Sequence, residues 1–92
     1  MNPTIALLTD FGTEDSYVGM MKGVIAGICP DARMIDMTHA INPQHVRQAA
    51  FLLMNSYMYF PSGTVFLVVI DPGVGSRRRP IAVTAGDYLF VA

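Results

Sequence analysis

Apolar positions along the chain gather in short runs, broken by polar stretches that carry glycine or proline. Thr4–Thr9 (TIALLT) predicts a short buried strand ending at Asp10. The polar, glycine-containing residues 10–15 predict a loop, after which Asp15 or Ser16 can cap a helix that runs to about Ile28 and stops at Pro30. Arg33–Thr38 (RMIDMT) reads as a second strand and residues 39–43 as a loop. From Gln44 to about Tyr59 the pattern is helical: Val46, Ala49, Ala50, Leu53 and Tyr57 recur at the 3.6-residue period and predict one apolar face. A Pro61-Ser62-Gly63 turn precedes residues 64–70 (TVFLVVI), a β-branched and aromatic run expected of a strand buried on both faces. Residues 71–76 read as a loop, and residues 80–85 with 88–91 suggest a hairpin around Gly86-Asp87. No internal repeat, linker or low-complexity tract is visible.

Alternation of strand and helix predicts an α/β layer, a mostly parallel sheet with flanking helices and right-handed crossovers. In such sheets ligands sit beyond the carboxyl ends of the strands. Those ends are Asp10, Thr38-His39 and Asp71, so polar groups distant in sequence are expected to converge on one edge.

Composition changes this picture in one respect. Ninety-two residues make one small domain, residues 1–92, able to bury only about 60–65% of its unfolded surface. Yet 52% of residues are apolar and 14% charged, with a mean hydropathy of +0.41, greasier than a domain of this size needs. The excess suggests an oligomer or a piece of something larger, and the chain ends at Phe90-Val91-Ala92 inside an expected strand. We therefore expect an amino-terminal portion of a longer protein. A formal net charge of -1 offers no pull toward nucleic acid or a membrane surface. The single Cys29 excludes an intrachain disulfide and fits a reducing compartment. The start lacks a secretory pattern, and the longest apolar run, residues 65–70, is far short of a bilayer span. A cytoplasmic chain is expected.

Two segments carry candidate chemistry. In Thr9-Asp10-Phe11-Gly12, a carboxylate just past a buried strand can accept hydrogen bonds from vicinal hydroxyls such as those of a ribose. It can equally serve only as an Asx-turn cap. The DFG triplet occurs in protein kinases, but the chain has neither an HRD segment nor a glycine-rich ATP loop. In residues 71–79 (DPGVGSRRR), proline and two glycines make a tight loop that starts with an acid and closes with three of the six basic residues. An acid and a guanidinium held across such a loop can orient a water. The same loop also reads as an anion cradle, or as a turn followed by a solvated basic run. Gly19, Gly23 and Gly27, each costing about 1 kcal/mol of helix propensity, suggest close approach of the first helix to its neighbours. Met20, Met21, Met34, Met37, Met54 and Met58 read as core or interface filler. His39 and His45 have no third ligand at metal spacing and read as hydrogen-bonded structural histidines.

Taken together, TDFG, DSYVGMMKGVI, IDMTHAINP and VIDPGVGSRRRPIAV resemble one family, the S-adenosyl-L-methionine (SAM) hydroxide adenosyltransferases, whose relatives include the SAM-dependent chlorinase and fluorinase. The resemblance spans essentially the whole chain. It implies SN2 attack on the 5′-carbon of SAM with methionine as leaving group, by water in the hydrolases and by halide in the halogenases. It further implies that Asp71 and Arg78 hold the nucleophilic water, that Asp10 binds the ribose, and that Asp15 and Ser16 contact the methionine moiety. No metal or other cofactor is implied, SAM being the substrate. The family's third water-holding residue, a histidine, and its carboxyl-terminal β-barrel domain both lie downstream of residue 92. Neither His39 nor His45 matches that histidine's motif. In relatives the barrel packs on a neighbouring subunit in a homotrimer. Where the fluorinase has a tyrosine in a YPATG-like loop, this chain has Asp71, which would repel a halide and suits a water. The resemblance therefore implies SAM hydrolysis to adenosine and methionine, with halogenation or a non-catalytic nucleoside-binding fragment as alternatives.

Overall fold

The computed structural model describes residues 2–43, 45–70 and 81–92. Five strands and two helices follow the order β1 (Thr4–Thr9), α1 (Tyr17–Ile28), β2 (Arg33–Thr38), α2 (Val46–Ser56), β3 (Val65–Val69), β4 (Ala82–Ala85) and β5 (Tyr88–Val91), with a 3-10 turn at Tyr57–Tyr59 continuing α2. They form one sheet in the order β2-β1-β3-β5-β4. The pairs β1–β2, β1–β3 and β3–β5 are parallel and only the β4–β5 hairpin is antiparallel, so the fold is the expected mostly parallel α/β layer. Gly86, with φ of +59°, makes the hairpin turn in a backbone region that side-chain-bearing residues avoid.

The sheet buries residues on both faces of β1. On one face Leu8 packs with Ile41 and with Ala49 of α2, flanked by Met37, Leu52, Val68 and Ile70. The same face continues into an aromatic cluster around the fully buried Phe66. Phe66 stacks on Phe90 at 5.0 Å and meets Phe60 edge-on at 5.2 Å. Tyr57 closes this cluster against Tyr88. On the opposite face Leu7 and Thr9 are fully buried. There α1 reaches β2 through an ion pair between Lys22 and Asp36. The half-buried Val18, Met21, Lys22 and Ile25 form its inward stripe at helical spacing.

Three expectations are corrected. The inward face of α2 is Ala49, Leu52, Leu53 and Tyr57, while Val46 and Ala50 are exposed. Positions 46 and 50 lie about 60° and 100° around the helix axis from Ala49, the α2 residue in the core. Gln44, the expected start of this helix, lies outside the described residues, and His45 is the N-cap, its side chain accepting from the Gln48 N–H. Strand β3 buries only Phe66 completely, and its other residues are half-buried. Gly19, Gly23 and Gly27 are exposed and a Cβ at any of them would meet nothing within 4 Å among the described residues, so packing within those residues does not explain them. Among the methionines, Met37 packs against the core, but Met20, Met54 and Met58 are exposed. No helix among the described residues is long and apolar enough to cross a membrane.

Candidate functional site

The carboxyl ends of β1, β2 and β3 lie side by side, and the chain leaving β1 turns sharply at residues 10–12. Every backbone N–H of this turn is engaged within the protein. The Asp10 N–H donates to the Val69 carbonyl of β3 at 3.3 Å, the Phe11 N–H to Thr9 Oγ1 at 3.2 Å, and the Gly12 N–H to the His39 carbonyl at 2.7 Å. Gly12 holds φ of +75°, which favours glycine at that corner. A turn with its N–H groups spent cannot cradle an anion. The half-buried Asp10 carboxylate is the charged acceptor at this corner.

Beneath the turn runs a chain of three short polar contacts. Thr9 Oγ1 lies 2.7 Å from His39 Nδ1, and His39 Nε2 lies 2.7 Å from Asp36 Oδ1. The second Asp36 oxygen accepts from Lys22 Nζ, also at 2.7 Å. Thr9 and His39 are buried; Asp36 and Lys22 lead out to solvent on the α1 side. The Lys22 ammonium first, then the His39 ring, hold the Asp36 carboxyl below the usual carboxylate range, against a smaller opposing effect of burial. No buried side-chain polar atom among the described residues lacks a partner.

Asp10 and His39 therefore converge on one edge as expected. Asp15 and Ser16 stand exposed at the amino end of α1. It is Asp15 that serves the helix start, Oδ1 accepting from the Tyr17 N–H at 3.3 Å, while Ser16 Oγ lies 3.5 Å from the Met20 sulfur. The Phe11 and Tyr17 rings, 5.9 Å apart, tie this helix start to the turn. Asp71 and Arg78 lie outside the described residues. The sequence pattern does not mark Thr9, Asp36 or Lys22 as site residues, and by it His39 is a structural histidine. The signal for them is the DMTH segment beside a strand ending in Thr-Asp, and it becomes visible once the strand register is known. An apolar groove between α2 and the hairpin, lined by residues that include Leu53, Tyr57 and Tyr88, lies toward the amino ends of β3 and β5, away from Asp10.

Fold and site together define a parallel α/β domain, the class in which ligands sit beyond the carboxyl ends of the strands. The chain belongs to the SAM hydroxide adenosyltransferase family, whose N-terminal domain profile matches residues 5–92. It is 45% identical over 89 residues to the (R)-S-adenosyl-L-methionine hydrolase of Salinispora arenicola, a match covering 97% of this chain and 34% of that protein. It is 35% identical over 82 residues to a fluorinase of an Actinoplanes species, covering 89% of this chain and 28% of that one. Among solved structures it superposes on a conserved hypothetical protein from Thermus thermophilus with a TM-score of 0.85 and 43% identity, covering 99% of this chain and 37% of the other. The chain thus spans about a third of the length of the curated relatives it matches.

Proposed function

We propose that this protein hydrolyses SAM to adenosine and L-methionine. The observation that carries the reading is the 10–12 turn, whose N–H groups are all engaged within the protein and which sets the half-buried Asp10 carboxylate at the carboxyl end of β1. Vicinal ribose hydroxyls are donors suited to such an acceptor. The greater identity to proteins named as SAM hydrolases than to those named fluorinases supports water as the nucleophile.

In the reaction, a water oxygen attacks the 5′-carbon as the bond from that carbon to the sulfonium breaks. The bonding pair goes to sulfur, methionine departs as a neutral thioether, and one proton of the water is released. The positive sulfur makes methionine a good leaving group, so the protein has mainly to align nucleophile and carbon and to limit competing solvent. On this reading Asp10 holds the ribose, Asp15 and Ser16 contact the methionine moiety, and Asp71 and Arg78 position the water. The chemistry asks for no cofactor. Large apolar side chains on the outer face of α1, Tyr17, Met20, Val24 and Ile28, support assembly of the whole protein, which we take to be a cytoplasmic homotrimer.

The test is incubation of the native full-length protein with SAM in 18O-labelled water containing chloride, with the nucleosides read by mass spectrometry. Adenosine labelled at the 5′-oxygen is the expected product. A 5′-chloro nucleoside would move the protein to the halogenases, and binding without turnover would make it a nucleoside-binding module.

A further inference from the structure

We propose that His39 is a positioning residue for the nucleoside site, acting through Thr9 and the 10–12 turn on Asp10; the inference rests on reading Asp10 as the ribose acceptor. His39 grips the turn at two points. Its carbonyl accepts from the Gly12 N–H at 2.7 Å, and its ring meets Thr9 Oγ1, which in turn accepts from the Phe11 N–H. Asp10 stands between these points, its own N–H tied to β3.

Donor and acceptor roles along the relay follow from its far end. Asp36 is a carboxylate and can only accept, so the proton facing it sits on His39 Nε2. In the neutral ring Nδ1 is then an acceptor and takes the Thr9 hydroxyl proton. Thr9 Oγ1 then keeps its lone pairs for the Phe11 N–H. Lys22 occupies the other Asp36 oxygen and prevents that carboxylate from turning away. Every group is satisfied in a single arrangement, which leaves the turn little freedom. A carboxylate fixed before the ligand arrives loses less conformational entropy on binding, and the gain falls on the contacts it makes. Thr9 is fully buried and so is no nucleophile; the relay transmits geometry, not a bond-forming step.

The experiment compares binding of adenosine and of 2′,3′-dideoxyadenosine to the native full-length protein by calorimetry. The wild type should prefer adenosine by roughly tenfold or more, the preference expected of a carboxylate accepting from ribose hydroxyls. Thr9→Val and His39→Leu should remove most of that preference while changing dideoxyadenosine affinity by less than about threefold, and Thr9→Ser, which keeps the hydroxyl, should restore it. Asp36→Ala, at the half-exposed end of the relay, should give a partial loss and serves where a buried change prevents folding. Equal weakening of both nucleosides by these variants would make the relay merely structural and overturn the proposal. Asp10→Asn separates the two readings. If it abolishes the preference while the relay variants do not, the positioning role fails alone. If it leaves the preference intact, the ribose reading of Asp10 fails and takes this proposal with it.

Discussion

Asp36 and His39 are three residues apart at the end of β2, yet Asp36 Oδ1 and His39 Nε2 meet at 2.7 Å on one side of the sheet. In a regular strand residues three apart point to opposite faces. Here Leu7 pairs with Asp36 but Leu8 pairs with Thr38, so Met37 is an extra residue in the register. This bulge resets the alternation. Asp36 shares the face of Leu7, Met37 packs toward Leu8, and His39 falls beside Thr9. Bulges re-aim side chains in this way beside functional sites.

The Asp36 carboxyl is held below its unfolded value by Lys22 and His39, which makes the relay acid-sensitive. A group whose pKa is lowered on folding stabilises the native state fully above its unfolded value, about 3.9, and that contribution is lost as pH falls through the folded value. With the side chain 44% exposed, screening limits the effect to no more than about 1 kcal/mol. Urea midpoints measured between pH 6 and pH 3 should fall more steeply for the wild type than for Asp36→Asn. Lys22→Met should flatten the profile in the same direction. Parallel profiles would show that the ion pair contributes nothing in solution.

Phe66 supports the sheet from beneath. It is fully buried among Phe60, Tyr88 and Phe90, so Phe66→Ala removes a large aromatic volume from a site bounded by two strands and the turn after α2. A loss of about 3–5 kcal/mol is expected, read as a shift in the urea midpoint. Phe51 on α2, 67% exposed, is the control: Phe51→Ala should change stability by less than about 0.5 kcal/mol.

The glycines of α1 make an opposite test. With nothing near a Cβ at Gly19, Gly23 or Gly27, alanine at each should stabilise the helix by about 0.5–1 kcal/mol. In the native full-length protein the same substitutions report on assembly. A higher melting temperature with unchanged oligomeric state would mean that the stripe stays open. Loss of assembly would mean that a neighbouring surface approaches this helix closely, giving the glycines the packing role that the described residues do not show.

Much of the fold was legible in the chain because its strands are short apolar runs with polar ends. Thr4–Thr9 and Arg33–Thr38 begin and end where their patterns do, and Gly86-Asp87 marks its hairpin turn. Convergence of Asp10 and His39 followed from strand alternation alone, since parallel strands present their carboxyl ends together. What the pattern could not carry was the bulge at Met37. A one-residue register shift leaves no trace in RMIDMT, yet it decides whether Asp36 and His39 face each other. The face of α2 departs from the pattern for a related reason: Val46 and Ala50 satisfy the helical period, but the side of the helix laid on the sheet is the one that carries Ala49 and Leu52.

The proposed roles of Asp10 and Asp71 differ in kind, and kinetics on the native full-length protein should separate them. A residue that holds the ribose contributes to ground state and transition state alike, so Asp10→Asn should act mainly on KM. A residue that positions the nucleophilic water acts only as the bond forms. Asp71→Asn should lower kcat by about 100-fold or more, in the range of a lost acid-base or orienting group, with SAM affinity largely retained. Asparagine keeps the size of the side chain and removes its charge, so the loss would report on the carboxylate itself. The charge change also bears on the alternative nucleophile. If Asp71 holds the water as proposed, removing its negative charge lessens repulsion of a halide, so any chloride-dependent product should rise as hydrolysis falls. If kcat is unchanged by Asp71→Asn, the water is held elsewhere, and the acid of the DPGVG segment is a turn residue and nothing more.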